Sequence, residues 1–305
     1  MSASFERYSS IIKAKAFDLG FDKCGIVKAQ NLYQYSDSLD HWLNRGYNAE
    51  MEYMNRNNEK RKDIRKMVDG VKSLVLVLMN YNSNNNTEAS KCRVAKYALG
   101  KDYHFVIKEK LAKLKEFIDE NIAQTRGRAF TDSAPVMERS YAVLANFGWI
   151  GKNSMLINKE LGSFTFIGEL ALNIELKYEE TTYKDRCGSC TRCIDACPTQ
   201  AIVPNERMVN SEKCISYQNI EKKGTMLPEI AKLSQSYVFG CDICQNVCPW
   251  NNKAPLHNTP EFEPIDEIFN LDVIAKEEFN KVFKSSPLQR KGWEEIMRNI
   301  SAISR

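Results

Sequence analysis

Apolar residues recur at helical spacing over residues 4–19, where Phe5, Tyr8, Ile11, Ile12 and Leu19 share one side, and this predicts a helix. The run CGIV at 24–27 follows as a short buried strand, and a second helix around Leu39, Trp42 and Leu43 is expected to end near Gly46. The stretch SLVLVLMNY at 73–81 reads as a strand, and the polar NSNNNTEAS after it as a surface loop. Phe105, Leu111, Leu114, Phe117 and Ile118 set a helix over 104–121, a further helix is expected from just after Asp132 to about Phe147, and SFTFIGELALNIEL at 163–176 reads as strand. Helices mixed with well-separated strands predict an α+β or α/β domain over 1–178. From 179 to 255 the pattern breaks into short segments, cysteines and prolines; too little apolar surface is present for a large core, so bound metal must help this region fold. Residues 256–305 read as a proline-punctuated linker leading into short helices, a helical tail.

Composition narrows the class. The chain has 305 residues, 43% apolar and 27% charged, which are globular values. Its apolar runs fall short of the roughly 20 residues that span a bilayer, and the N-terminus lacks the apolar core of a secretory signal, so a cytoplasmic protein with no membrane segment is expected. A net charge of +4 permits a nucleic-acid partner without requiring one. Eight of the ten cysteines fall between residues 187 and 248, and in a reducing compartment such crowding points to metal ligation rather than disulfides.

The spacing Cys187-x2-Cys190-x2-Cys193-x3-Cys197-Pro198 is the bacterial ferredoxin run, in which three cysteines two apart wrap one cluster and the fourth ligates another. CDICQNVCPW supplies Cys241, Cys244 and Cys248, and Cys214 stands alone 27 residues before Cys241. If Cys187, Cys190 and Cys193 take Cys248 as their fourth ligand, then Cys197, Cys241 and Cys244 take Cys214, and all eight are used. This predicts two 4Fe-4S clusters. CxxC pairs also build tetrahedral zinc sites, but overlapping pairs with CxxxCP at both ends favour iron–sulfur. Cys24 and Cys92 lie outside the pattern and read as plain small side chains.

Two clusters move electrons, and the residues ahead of them should hold a second redox centre or a substrate. GWIGKN at 148–153 is not a phosphate loop, because Asn146 stands at the first glycine position and Asn153 replaces the hydroxyl, and no GxGxxG occurs. DYHFVI at 102–107 begins like the cobalt-ligating DxHxxG, but Ile107 occupies the glycine position, which leaves His104 as a helix-start or substrate-side histidine; His41 and His257 have no evident partners. Asp132 stands before the expected helix with Pro135 after it, so it is either a helix cap or an acid that donates a proton beside a redox centre after burial raises its pKa; Ser133 could cap in its place.

The stretches EKRKD, GKDYH, TDSAPVMERSYA, GWIGKNSMLI, GSFTFIGEL, CGSCTRCIDACPTQAI, CISY and FGCDICQNVCPWN run in order over about 250 residues, and together they resemble the epoxyqueuosine reductases of tRNA modification. The resemblance implies an N-terminal α/β cobalamin-binding domain (1–178) that also holds substrate, a ferredoxin-like domain with two 4Fe-4S clusters (179–255), the tail 256–305, and base-off cobalamin. It places Asp132 on the family's proton donor and Arg61, Leu156 and Ile167 on cobalamin-contacting positions, with Lys152, Asn153 and Ser216 as further cofactor contacts. The activity implied is reduction of epoxyqueuosine to queuosine at the tRNA wobble position, fed by an external low-potential electron donor, in a monomer. Many members continue into HEAT-like helical repeats where this sequence reads RKGWEEIMRNISAISR, which leaves Lys222, Lys223, Arg290 and Lys291 as candidate RNA contacts. Two alternatives stand beside this reading: a cobalamin and iron–sulfur reductase of a small molecule, of the reductive dehalogenase kind, and a non-catalytic ferredoxin-type electron carrier.

Overall fold

A computed structural model describes residues 2–84, 91–182 and 184–304, so the expected loop at 85–90 lies outside the described residues. The described residues form ten strands: β1 (Lys23–Lys28), β2 (Ser73–Asn80), β3 (Arg93–Val94), β4 (Gly127–Phe130), β5 (Trp149–Ile150), β6 (Leu156–Ile157), β7 (Thr165–Leu172), β8 (Ile202–Val203), β9 (Met208–Val209) and β10 (Tyr237–Phe239). The central sheet has the order β1-β2-β7-β4 with every pairing antiparallel, so the domain is α+β in its topology.

The run LVLVLM at 74–79 is apolar without a break because β2 is covered on both faces. Val75, Val77 and Met79, with Phe166 and Leu170 of β7, pack beneath the helices Ser2–Asp18 and Tyr103–Asn121. Leu74, Leu76 and Leu78 point the other way, toward Phe130, Ile64 and the helix Glu138–Leu144. Each such side chain contributes roughly 1.5–3 kcal/mol on burial. Gly168 lets the long helix approach, since a Cβ there would stand 2.6 Å from the Ile107 side chain.

One strand left no mark in the sequence and one expectation needs correction. The edge strand β4 is only Gly127–Phe130 and shows no alternation in sequence; its register on β7, from Gly127 opposite Leu172 to Phe130 opposite Glu169, forms it. The helix after Asp132 begins at Glu138 and ends at Leu144, because residues 131–137 turn through a left-handed Asp132 (φ 55°) before the chain can enter helix. Asp132 is therefore no cap; Met137 occupies the cap position with no side-chain hydrogen bond.

The tail is built into the molecule. Ile268, Leu271, Phe279, Phe283, Leu288 and Ile296 share one core with Val94, Leu99, Val238 and Phe239. The strand β10 pairs in parallel with β3, and Asn299 donates to the carbonyls of Asn219 (2.9 Å) and Val238 (3.0 Å), tying the last helix Gly292–Ile303 to the cysteine region.

Candidate active site

The cysteine region is two similar loops set face to face. The one-turn helices Arg192–Asp195 and Ile243–Asn246, each inside a CxxxCP run, pack on one another. Among the described residues no three His, Cys, Asp or Glu side chains converge tightly enough for a single metal ion, and the thiols spread into two quartets. Burial, then the charges of Cys187, Cys248 and Cys190, push up the Cys193 thiol; Cys248 is pushed up in the same way beside Cys187 and Cys190. Cys214 faces Cys197, Cys241 faces Cys214 and Cys197, and Cys244 faces Cys241, Cys214 and Cys197, with Cys193 its one neighbour from the other set. Buried thiols pushed up together need a shared cation to ionise, and iron–sulfur clusters supply it. By contrast Cys24 is pushed up to about 12 and Cys92 to about 11 by burial away from both sets.

The hairpin β5–β6 carries GWIGKN onto the first quartet. Trp149 Nε1 donates to Cys187 Sγ at 3.4 Å, and Lys152 Nζ donates to the carbonyls of Gly188 (2.8 Å) and Cys190 (2.9 Å). Gly148, at φ 151°, permits the turn, because a Cβ there would collide with the Ile157 carbonyl at 1.9 Å. Lys152 thus grips the cysteine loop by its backbone. Ser216 stands in the turn after Cys214, where its backbone and that of Tyr217 hydrogen-bond to the Cys214 thiol. Leu156 is buried in β6, and Ile167 lies half-buried on β7 beyond the end of β4, where its carbonyl accepts from Thr131 Oγ1 at 2.7 Å.

Asp132 follows Thr131 and is held from several sides. Tyr103 O–H donates to Asp132 Oδ2 at 2.7 Å, and His104 Nε2 stands 3.6 Å from the same oxygen. The Asp132 backbone N–H donates to Glu138 Oε1. Arg61 faces Tyr53, Glu138 and Asp132, so the structure brings two of the sequence-derived site residues together. Burial expected for the Asp132 carboxyl is not provided by the protein: the side chain is 62% exposed. Behind it, Asp102 Oδ1 contacts His104 Nδ1 at 2.8 Å, and Arg290 Nε donates to Asp102 Oδ2 at 3.1 Å. Burial works against the Asp102 charge, but these hydrogen bonds win and hold its carboxyl below the usual range. Burial and the Asp132 charge push the Tyr103 phenol far up, so it stays a donor.

Four polar atoms near this site are buried without hydrogen-bond partners among the described residues: Arg61 Nε, His104 Nε2, Asn153 Nδ2 and Thr165 Oγ1. Unmade buried hydrogen bonds cost about 1–3 kcal/mol each. A corrin rimmed by amide carbonyls offers the acceptors such donors require, so the residues present fit cobalamin. Arg290, one of the candidate RNA contacts, is committed to Asp102, and two more carry carboxylates: Lys222 pairs with Glu50 at 3.3 Å and Lys291 with Glu295 at 2.8 Å. Lys223 gives its backbone N–H to Glu50 at 3.1 Å.

Comparison with known proteins agrees with this constellation. Residues 186–251 match the 4Fe-4S double cluster binding domain, and residues 61–133 match the family Epoxyqueuosine reductase QueG, DUF1730. Epoxyqueuosine reductases of Cyclobacterium marinum and Leadbetterella byssophila are 45% and 47% identical, covering 99% and 97% of this chain and 98% of each relative. This chain belongs to the epoxyqueuosine reductases. A crystal structure of an epoxyqueuosine reductase with an epoxyqueuosine-modified tRNA-Tyr stem loop superposes with a TM-score of 0.88 at 30% identity over 97% of this chain and 80% of that one. A Bacillus subtilis epoxyqueuosine reductase whose catalytic aspartate loop is swung out of the active site matches at 0.86, also at 30% identity, over 97% and 81%. As an epoxyqueuosine reductase the protein is an oxidoreductase, and it carries a domain that binds two 4Fe-4S clusters. The electron-carrier alternative falls, because the match extends through the first domain.

Sequence reasoning missed Tyr103, Asp102, Glu138, Glu169, Trp149 and Tyr53. Glu169 alone left a clear mark, as the one charge inside an apolar strand.

Proposed function

We propose that this protein reduces epoxyqueuosine to queuosine at the wobble position of tRNA, with Asp132 as the proton donor. The observation that carries this reading is the presentation of Asp132: a left-handed residue whose exposed carboxyl is held by Tyr103 and whose backbone is held by Glu138, beside Arg61. A non-glycine residue in that conformation costs of order 1–3 kcal/mol and persists only where the surroundings over-determine it.

Bound base-off cobalamin would supply reducing equivalents to the epoxide carbon, replenished one electron at a time through the clusters from an external low-potential donor. Cys187, Cys190, Cys193 and Cys248 would ligate one cluster, and Cys197, Cys214, Cys241 and Cys244 the other. Arg61 and Asn153 would donate to the corrin's amide arms, while Leu156 and Ile167 would line it and the Lys152 side chain and the Ser216 backbone would tie it to the cluster loops. Tyr103 holds Asp132 Oδ2, leaving Oδ1 to carry a proton to the oxygen as the ring opens. A second proton leaves with that oxygen as water, so two electrons and two protons balance the loss of one oxygen. The corrin and the base together would cover the exposed carboxyl. Tyr53, 48% exposed and facing Asp132, offers a ring for a base splayed from the anticodon loop. Contacts to phosphates make tRNA affinity salt-dependent. The protein acts as a monomer in the cytoplasm; among the described residues no helix is long and apolar enough to cross a membrane.

The test is anaerobic incubation of the reconstituted protein with cobalamin, a low-potential reductant and epoxyqueuosine-containing tRNA, followed by nucleoside analysis. Queuosine should form only in the complete mixture. Persistence of the epoxide would overturn the reading.

A further inference from the structure

Glu169 lies in the middle of β7, opposite Leu76 of β2 and Phe130 of β4, and is fully buried. Among the described residues neither of its carboxyl oxygens receives a hydrogen bond from an N–H or hydroxyl donor. The carboxyl that faces it is that of Glu138, on the helix Glu138–Leu144 that packs on β7. Two such acids meet without mutual repulsion only when one of them carries a proton. Burial, joined by mutual repulsion and by the charge of Asp132, pushes both acids well above the ordinary range, while Arg139 acts in the opposite sense on Glu138. Arg61 also faces Glu138, and Tyr141 faces Glu169.

Glu138 has a second contact. Its Oε1 accepts the backbone N–H of Asp132, the residue held at φ 55°. The geometry therefore runs from a fully buried acid in the sheet, through a proton-bearing contact to the first residue of the helix, and on to the backbone of the catalytic segment.

We propose that Glu138 and Glu169 are positioning residues for Asp132, a carboxyl pair whose shared proton latches the catalytic segment in place. With the proton present, Glu169 holds Glu138, and Glu138 holds the left-handed Asp132 backbone. When the proton is lost, two like charges face each other, one fully buried at Glu169 and one half-buried at Glu138, so Glu138 withdraws and residues 131–136 are released. The inference rests on the reading of Asp132 as proton donor, but its test reads the segment itself and not turnover.

Hydrogen–deuterium exchange of the 131–136 segment is measured in the full chain carrying its clusters and cobalamin, between about pH 6 and 9 and corrected for intrinsic exchange. The wild-type protein should lose protection at least tenfold as pH rises. In Glu169→Gln the amide donates permanently to an ionised Glu138, so protection should stay high and vary less than twofold. Glu138→Gln, whose amide accepts from Asp132 and donates to Glu169, should behave alike and serves if Glu169→Gln does not fold. A protonated-carboxyl infrared band should be present in the wild type at neutral pH and absent from either variant. Flat protection in the wild type, unchanged pH dependence in the variants, or a missing infrared band would overturn the latch. If Asp132→Asn were fully active while the latch behaved as described, the proton-donor reading alone would fail.

Discussion

Removing the Asp102 carboxyl tests how the site is anchored. One oxygen of Asp102 accepts from the His104 backbone N–H at 2.9 Å, capping the helix Tyr103–Asn121, and contacts His104 Nδ1 at 2.8 Å; the other accepts from Arg290 at 3.1 Å. In Asp102→Ala the lost cap costs about 1 kcal/mol. The His104 donor, its side chain 5% exposed, is left unsatisfied at a cost of about 1–3 kcal/mol. The Arg290 pair, with the arginine side chain 49% exposed, contributes about 1 kcal/mol or less. The sum is about 2–5 kcal/mol, or a fall in Tm of roughly 4–10 °C at about 2 °C per kcal/mol for a chain of this size. Asp102→Asn keeps a good cap and an acceptor for His104, so its Tm should drop by only about 2 °C. Both variants are melted in the holoprotein at one scan rate, because cluster proteins unfold irreversibly. An Asp102→Ala protein that melts with the wild type, or an Asp102→Asn protein that falls as far as the alanine variant, would refute the reasoning.

Glu138 and Glu169 take up protons on folding, so their contribution is fully present below the ordinary carboxyl value near 4.5 and declines as pH rises toward their folded values. Urea denaturation between pH 5 and 8 should show stability falling by up to about 1.4 kcal/mol per pH unit for each proton involved, and a shallower slope in Glu169→Gln. Trp149→Phe removes the donor to Cys187 Sγ and should make the reduction potential of one cluster more negative, read by EPR-monitored titration, while the other stays put. Cys214→Ala should lower bound iron and the cluster absorption, whereas Cys24→Ala should leave both unchanged.

The cysteine spacing was readable because a cluster loop needs only local chain geometry to set its ligands, as Cys187-x2-Cys190-x2-Cys193 shows. The strand β2 was equally plain, its unbroken apolar run reporting cover on both faces. Asp132 stood out by position, but its conformation did not: a left-handed aspartate is imposed by Tyr103 and Glu138, which reach it from other elements. The strand β4 was invisible because pairing with β7, and not its own residues, makes it extended. Glu169 was visible as the one charge inside an apolar strand, but only a partner brought in from the helix Glu138–Leu144 gives a buried acid a reason to be there. The tail gave no sign that Ile268, Phe279 and Phe283 complete a core begun at Val94 and Leu99, since that core joins residues far apart in sequence.

The central claim is that Asp132 delivers a proton during reduction of the epoxide. The direct measurement compares single-turnover conversion of epoxyqueuosine-containing tRNA by wild-type and Asp132→Asn proteins loaded equally with iron, sulfide and cobalamin. Asparagine keeps the acceptor for Tyr103 but has no acidic proton to give, so the rate should fall by about 10²–10⁴. Conversion at the wild-type rate by Asp132→Asn would contradict the account.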